Sequence, residues 1–285
     1  EVDALLAQVA EWAAQRDDVR GVILVGSTAR TDHPADEWSD VDLILAVDDT
    51  ATFLDAVDWL EPFGRVLATM VEPTAVGGFQ ERRVLFATGL DVDFSIVPAE
   101  LVALLPELAH DPQVRATVGH GARVLHDELG IGHLLASIDP PAPAGPPSEQ
   151  AYRQLSNTFW YDAVWTAKKV RRGELWVAKH SCDGQLLRGL VEVLRWRTQL
   201  RHPGRETWHG LRFAEEWLDP DDAALLSSAA TTADPAGVGR ALGALVDGFA
   251  AVESEVAAAV GCDVAVPVDE LRSLIAATLP PADET

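Results

Sequence analysis

Lysine is nearly missing from this chain. Three occur among 285 residues, Lys168, Lys169 and Lys179, all inside one twelve-residue window, and arginine supplies every other permanently charged side-chain cation. Cysteine is scarcer still: Cys182 and Cys262 stand far apart in sequence. That spacing offers no metal-binding cysteine pair and fits two inert thiols in a reducing compartment. No apolar run reaches the ~20 residues that a membrane helix requires. The N-terminus also lacks a basic segment followed by an apolar one, the mark of an export signal. A cytoplasmic location with no membrane partner is therefore expected. Glu1 in place of a methionine leads us to expect a trimmed start. Cations as a whole are outnumbered, 22 Lys and Arg against 45 Asp and Glu, for a net charge of −23. A surface so acidic repels phosphate backbones and favours cationic partners. Nucleic acid is thus not expected as a partner.

What is present is enough to fold. Hydrophobic residues make up 48% of the chain, so a sizeable core can be buried. The charge is uneven. Between Arg153 and Arg212 twelve Lys and Arg face five Asp and Glu, a local excess of +7. A basic island in an acidic protein points to an anion site, or to a solvated helix face.

Residues 139–147 read DPPAPAGPP, five prolines in nine. No helix or strand interior passes through such a stretch. We read residues 139–148 as a linker between a first domain, 1–138, and a second, 149–285. In the first, helical periodicity covers 3–16, 51–60 and 99–109, and short apolar strands cover 21–26, 41–47, 65–71, 82–88, 91–97 and 122–126. That predicts an α+β domain with a mixed sheet. In the second, helices are expected at 148–172, 175–201, 211–218, 221–230, 236–260 and 268–278, an all-α bundle. Trp160, Trp165, Trp176, Trp196, Trp208 and Trp217 fall there and read as core.

Strand side chains alternate between faces. In 41–47, Val41, Leu43, Leu45 and Val47 share one face, and Asp42 joins Asp40 on the other. In 91–97, Val92, Phe94 and Ile96 share one face, and Asp91, Asp93 and Ser95 the other. If these strands are neighbours, three or four carboxylates converge. Such a cluster repels itself and resists desolvation, so it needs protons or a cation. Hard oxygen ligands on a rigid sheet suit Mg²⁺. Taken alone, Asp40 and Asp42 read equally as strand-edge charge. Gly26-Ser27, at the end of the strand 21–26, adds a second element. A strand that ends in Gly-Ser and opens a helix presents backbone N–H groups and a hydroxyl to phosphate oxygens. Arg30, on the next turn, is placed to add a charge-assisted contact.

Gly26-Ser27, the twelve-residue loop, Asp40-Val41-Asp42 and the later Asp93 together resemble the polymerase-β-type nucleotidyltransferase superfamily. The resemblance implies transfer of a nucleoside monophosphate from a nucleoside triphosphate to a hydroxyl, with two Mg²⁺ held by Asp40, Asp42 and Asp93. Asp93 is preferred to Asp91 because it lies inside its strand, before Phe94. The second domain, with Trp160, Ala167-Lys168, Glu174 and Trp196, resembles the helical domain of the aminoglycoside 6-adenylyltransferase family. This likeness implies a monomeric antibiotic-resistance enzyme that moves AMP from ATP to a hydroxyl of a streptomycin-like aminoglycoside, a cationic small molecule. Gly26, Ser27, Arg30, Lys168 and Lys179 would bind the nucleotide. Glu174 would act as general base, with Asp183 second in line, and both would hold the substrate. Each also reads as a surface acid paired with a nearby Lys or Arg. Lincosamide nucleotidyltransferases are similar relatives, so a lincosamide acceptor is the alternative. A catalytically idle nucleotide-binding or toxin–antitoxin module is a third reading, and the intact aspartates argue against it.

Overall fold

The computed structural model describes residues 1–30, 33–75, 77–142 and 145–280; Pro143 and Ala144 of the proline-rich stretch lie outside them. The chain forms two compact units, Glu1–Pro141 and Ala142–Thr285.

The first unit is built on one mixed sheet. Its elements run α1 (Val2–Ala14), β1 (Val19–Val25), β2 (Val41–Val47), α2 (Thr50–Leu54), a 3₁₀ segment (Asp58–Phe63), β3 (Val66–Pro73), β4 (Gln80–Phe86) and β5 (Asp91–Pro98). Short helices α3 (Ala99–Val102), α4 (Leu105–Leu108) and α5 (Pro112–Val118) follow, then β6 (Arg123–Asp127) and α6 (Gly132–Leu135). The strand order is β3-β4-β5-β2-β1-β6. Only β2 and β5 pair in parallel; the other four pairings are antiparallel. The apolar faces of β2 and β5 lie on a buried cluster with Leu5, Leu6, Val9, Phe53, Trp59 and Phe63. Aromatic edges lock it: Trp59 meets Phe94 at 5.1 Å and Phe53 at 5.4 Å.

Several expected helices differ from their expected bounds. The helix expected over 51–60 stops at Leu54. Arg82, buried on β4, donates to the carbonyls of Phe53 (3.0 Å) and Leu54, the acceptors a further turn would have used. Trp59 Nε1 also donates to Phe53 O at 3.2 Å. The helix expected over 99–109 breaks into α3 and α4, where Pro106 removes an N–H. The helix expected to follow Gly26-Ser27 is a turn instead. Ala29 N donates to Gly26 O at 3.2 Å and Ala35 N to Ser27 O at 3.1 Å, folding the chain back on itself. Helix α5 was not expected, although Asp111 caps it at Gln113 N (2.8 Å) with proline at its first position.

The second unit is helical: α7 (Glu149–Arg171), α8 (Leu175–Ser181), α9 (Leu187–Arg201), α10 (Ala214–Trp217), α11 (Pro220–Ser228), α12 (Pro235–Val260) and α13 (Val268–Thr278). A π-turn over Cys182–Leu186 joins α8 to α9, so the helix expected over 175–201 runs unbroken with one wide turn inside it. Ser148 caps α7 through Ala151 N, and Asp234 caps α12 through Gly237 N. Phe159 stacks on Phe249 between α7 and α12. Trp160 and Trp217 are buried, and Trp165, Trp196 and Trp208 are partly so. Trp176, also expected in the core, is 70% exposed in the first turn of α8. Among the described residues no helix is long and apolar enough to cross a membrane.

Candidate active site

Register brings the aspartates together. In the parallel pair β2–β5, Asp42 stands opposite Asp93. In the antiparallel pair β1–β2, Val25 stands opposite Asp42, so the chain leaving β1 at Gly26 passes beside the Asp42 carboxylate. Asp40, one pleat upstream of Asp42, completes the group. Each of the three offers an oxygen, and these atoms lie within 4.8 Å of one another. Asp91, the possible fourth member, is exposed and outside the group.

Gly26 is required by this approach. Its φ is +69°, in the left-handed region, and a Cβ there would fall on Asp42 Oδ2, with Asp42 Cγ at 2.7 Å. Thr28 Oγ1 donates to Asp40 O at 3.3 Å and ties the turn to the second aspartate. From the other side the turn rests on Gly121, where a Cβ would stand 2.7 Å from Ala29 O and 2.9 Å from Arg30 Cα. Ser27 is buried, and its Oγ has no hydrogen-bonding partner among the described residues. Such an orphaned hydroxyl costs about 1–3 kcal/mol unless a ligand oxygen satisfies it.

Two further charged residues enter from β4, and sequence reasoning missed both. Arg83 stands opposite Asp93 in the β4–β5 register. Its Nε and Nη2 reach the two Asp93 oxygens at 2.8 Å each, Nη2 lies 4.0 Å from Asp40, and Nη1 donates to Glu72 at 3.2 Å. Burial raises the Asp93 pKa above the ordinary carboxylate value, and Arg83 works against the shift. The guanidinium is held above its own usual value, chiefly by the hydrogen bonds to Asp93. Glu81 lies one pleat along β4, opposite Ser95, and its pKa is raised by burial and then by the Asp93 charge. The only sequence signal was the run Glu81-Arg82-Arg83 at the start of the strand expected over 82–88, which alternation splits into one inward arginine and two residues on the aspartate face.

The donor set fits a hard divalent ion. Opposite oxygens across one octahedral Mg²⁺ stand about 4.2 Å apart. The three-aspartate cluster is within an ångström of that span, all its donors are carboxylate oxygens, and one guanidinium neutralises only part of its charge.

The helical-unit candidates are arranged differently. Glu174 precedes α8 without a capping hydrogen bond and pairs with Lys169 (2.8 Å) and Arg172 (2.7 Å), and the Lys169 bond leads in holding its pKa low. Lys179 donates to Asp183 and, at 2.7 Å, to Thr231 Oγ1; Thr231 also donates to Asp183. Lys168 is exposed on α7. The two cysteines are free thiols, and burial pushes the Cys182 thiol up to about 12, which keeps it unreactive.

A Gly-Ser turn, an Asp-x-Asp on the antiparallel neighbour strand and a third aspartate on the parallel one thus share one corner of the sheet, in the arrangement that resembles the polymerase-β-type nucleotidyltransferase class. The chain belongs to a particular family within that class, described as Streptomycin adenylyltransferase, whose family model matches residues 1–272. Among characterised relatives, the aminoglycoside 6-adenylyltransferase of Campylobacter jejuni is 23% identical over 200 residues, covering 66% of this chain and 64% of the relative. The aminoglycoside 6-adenylyltransferase of Bacillus subtilis (strain 168) is 22% identical over 193 residues, covering 65% of each. The chain thus spans just under two thirds of the length of these relatives. Among solved structures, an aminoglycoside 6-adenyltransferase from Bacillus subtilis matches at 14% identity and a TM-score of 0.46, covering 96% of this chain and 97% of that one. A nucleotidyltransferase-like protein from Exiguobacterium sibiricum 255-15 matches at 15% identity and a TM-score of 0.30, covering 94% and 86%.

Proposed function

We propose that this protein transfers AMP from ATP to a hydroxyl of a streptomycin-like aminoglycoside, with pyrophosphate leaving. The observation that supports this most is the convergence of Asp40, Asp42 and Asp93 beside the Gly26-Ser27 turn, in a chain of this family. Asp40, Asp42 and Asp93 would hold Mg²⁺, which when bound supplies Lewis-acid stabilisation to an in-line phosphoryl displacement. The Ser27 hydroxyl and the backbone around Gly26 receive phosphate oxygens, and Arg30 adds a cation beside them. Lys168 and Lys179 are assigned to the triphosphate, and Glu174 and Asp183 to the cationic acceptor.

In the reaction the acceptor oxygen forms a bond to the α-phosphorus, the bond from that phosphorus to the bridging oxygen breaks, and pyrophosphate departs with the electron pair. The hydroxyl proton needs a base. Glu174 is a poor one, because Lys169 and Arg172 favour its ionised form. Glu81 is better matched: burial and Asp93 raise its pKa, and it shares the aspartate face. We assign the base role to Glu81 and leave Glu174 a cation-binding role. The acidic surface suits a polycationic acceptor and disfavours a nucleic acid. We place the protein, as an ATP-consuming monomer with free thiols, in the cytoplasm.

Incubation with ATP, MgCl₂ and a panel containing streptomycin, other aminoglycosides and a lincosamide tests the reading, with mass spectrometry of each acceptor. A mass gain of one AMP on streptomycin is expected. A gain on the lincosamide alone would replace the acceptor class, and no gain on any compound would favour an idle module.

A further inference from the structure

Arg82 and Arg83 are sequence neighbours with opposite placements. Arg82 is buried and spends its N–H groups on the carbonyls of Phe53 and Leu54 and on Thr69 Oγ1 (3.2 Å). It is fixed to the backbone. Arg83 is partly exposed and bonded only to carboxylates: both oxygens of Asp93 and, by its remaining nitrogen, Glu72 on the edge strand β3. Asp93 is the most buried of the three aspartates, 6% exposed. A fork-to-fork pairing occupies a lone pair on each of its oxygens, the two atoms on which a divalent ion at this cluster would also draw.

We propose that Arg83 is a resident counter-cation of the aspartate cluster, which competes with the divalent ion for Asp93 and Asp40 and withdraws onto Glu72 as the ion enters. The proposal rests on the reading of Asp40, Asp42 and Asp93 as metal ligands. It makes Arg83 a positioning residue. Three carboxylates within 4.8 Å repel one another, and Arg83 holds two of them in place until the ion takes over. The exit is already built: Glu72 holds one nitrogen at 3.2 Å and is itself partly exposed, so the guanidinium keeps a partner when it leaves Asp93. The consequence is weak divalent binding by the resting protein, in which one guanidinium must be displaced for each loading event.

The test is Mn²⁺ binding, read as loss of the free-ion electron paramagnetic resonance signal in the absence of nucleotide. Wild type, Arg83→Met, Arg83→Gln, Arg83→Lys and Asp42→Asn are compared, with circular dichroism to confirm folding. Removing the competitor in Arg83→Met is expected to tighten Mn²⁺ binding about tenfold or more, the scale of one charge-assisted contact. Arg83→Gln, which keeps a hydrogen bond to Asp93, gives the same direction and serves if the methionine variant does not fold. Arg83→Lys separates competition from plain repulsion. It keeps the charge but loses the fork, so binding tightens severalfold if the grip on both oxygens matters. Unchanged or weaker binding in the methionine and glutamine variants, or a lysine variant equal to wild type, overturns the proposal while Asp42→Asn still abolishes binding. Wild-type Mn²⁺ binding in Asp42→Asn overturns the metal reading itself.

Discussion

Asp93 in the sheet unit and Glu253 in the helical unit are both buried carboxylates, and burial raises the pKa of each. Their surroundings differ. Glu253 accepts from Ser156 Oγ and from Trp160 Nε1, both at 2.9 Å, and both donors are neutral. Nothing about that arrangement asks for a ligand: two donors satisfy one side chain and pin α7 to α12. Asp93 stands among Asp40, Asp42 and Arg83, and its neighbours include like charges. Asp222, also buried in the helical unit, stands against one opposite charge, Arg197, rather than among carboxylates. Burial alone therefore does not mark a functional carboxylate. The mark is an excess of like charge that the protein's own groups leave uncompensated.

The sheet side of that contrast breaks most sharply at Gly26. Gly26→Ala places a methyl group on the Asp42 carboxylate and forces a left-handed φ on alanine, a backbone cost of about 1–2 kcal/mol. AMP transfer should fall by about a hundredfold or more, the penalty for displacing a preorganised group, while circular dichroism stays native. A variant with more than half of wild-type turnover would show that the turn does not need to approach Asp42.

Salt sharpens the comparison at the level of the substrate. Attraction between a polycationic acceptor and an acidic protein is screened within about 8–10 Å at physiological ionic strength. Apparent KM for streptomycin should rise severalfold between low and high NaCl, with kcat nearly constant. A KM indifferent to salt would point to an uncharged acceptor.

Glu253 is tested through pH. Its raised pKa means that the folded state keeps a proton the unfolded chain has lost. The associated stability is present below the ordinary carboxylate range and is lost as pH rises through the raised value. Glu253→Gln removes that loss. Its thermal midpoint should match wild type near pH 4 and exceed it increasingly toward pH 8. A difference that does not vary with pH would show that Glu253 titrates normally.

The smallest effect belongs to Lys179→Ala. Lys179 is closed on Asp183 and Thr231 within the helical unit, and a partly exposed pair contributes at most about 1 kcal/mol. Stability should drop by no more than that. Calorimetric titration with a non-hydrolysable ATP analogue then asks what else the lysine does. If it serves the triphosphate, affinity falls about tenfold or more; equal affinity would leave the lysine a role in that local network alone.

The alternation of Val41, Asp42, Leu43 and of Val92, Asp93, Phe94 was legible in sequence, because a period of two admits only one assignment of faces once one face is apolar. The strands fell within a few residues of their observed ends for the same reason. What the sequence did not carry is pairing. Nothing local to Arg83 says that β4 will lie against β5 with Arg83 opposite Asp93; an arginine in a strand reads as an exposed edge residue. Arg82 ends α2 from 28 residues away, so no inspection of 51–60 could have shortened that helix. Trp176 followed helical spacing and still faces outward, in the first turn of the helical run that starts at Leu175, and spacing alone does not say which face a neighbour will cover. Glu174 read in sequence either as a base or as a surface acid paired with a nearby cation, and the pairing with Lys169 and Arg172 became visible only once α7 ended and the chain turned back.

The central claim is that Asp40, Asp42 and Asp93 form a metal-dependent centre for nucleotidyl transfer. The most direct measurement is transfer of label from α-³²P-ATP to streptomycin, with MgCl₂ or EDTA, by wild type and by Asp42→Asn. An amide keeps the shape of Asp42 but not its charge, and the apolar face of β2 is untouched. We predict labelled streptomycin from wild type with MgCl₂ only, a loss of about a thousandfold in Asp42→Asn, and a thermal midpoint in the variant that holds or rises. Near-wild-type labelling by Asp42→Asn, or labelling that persists in EDTA, would contradict the account.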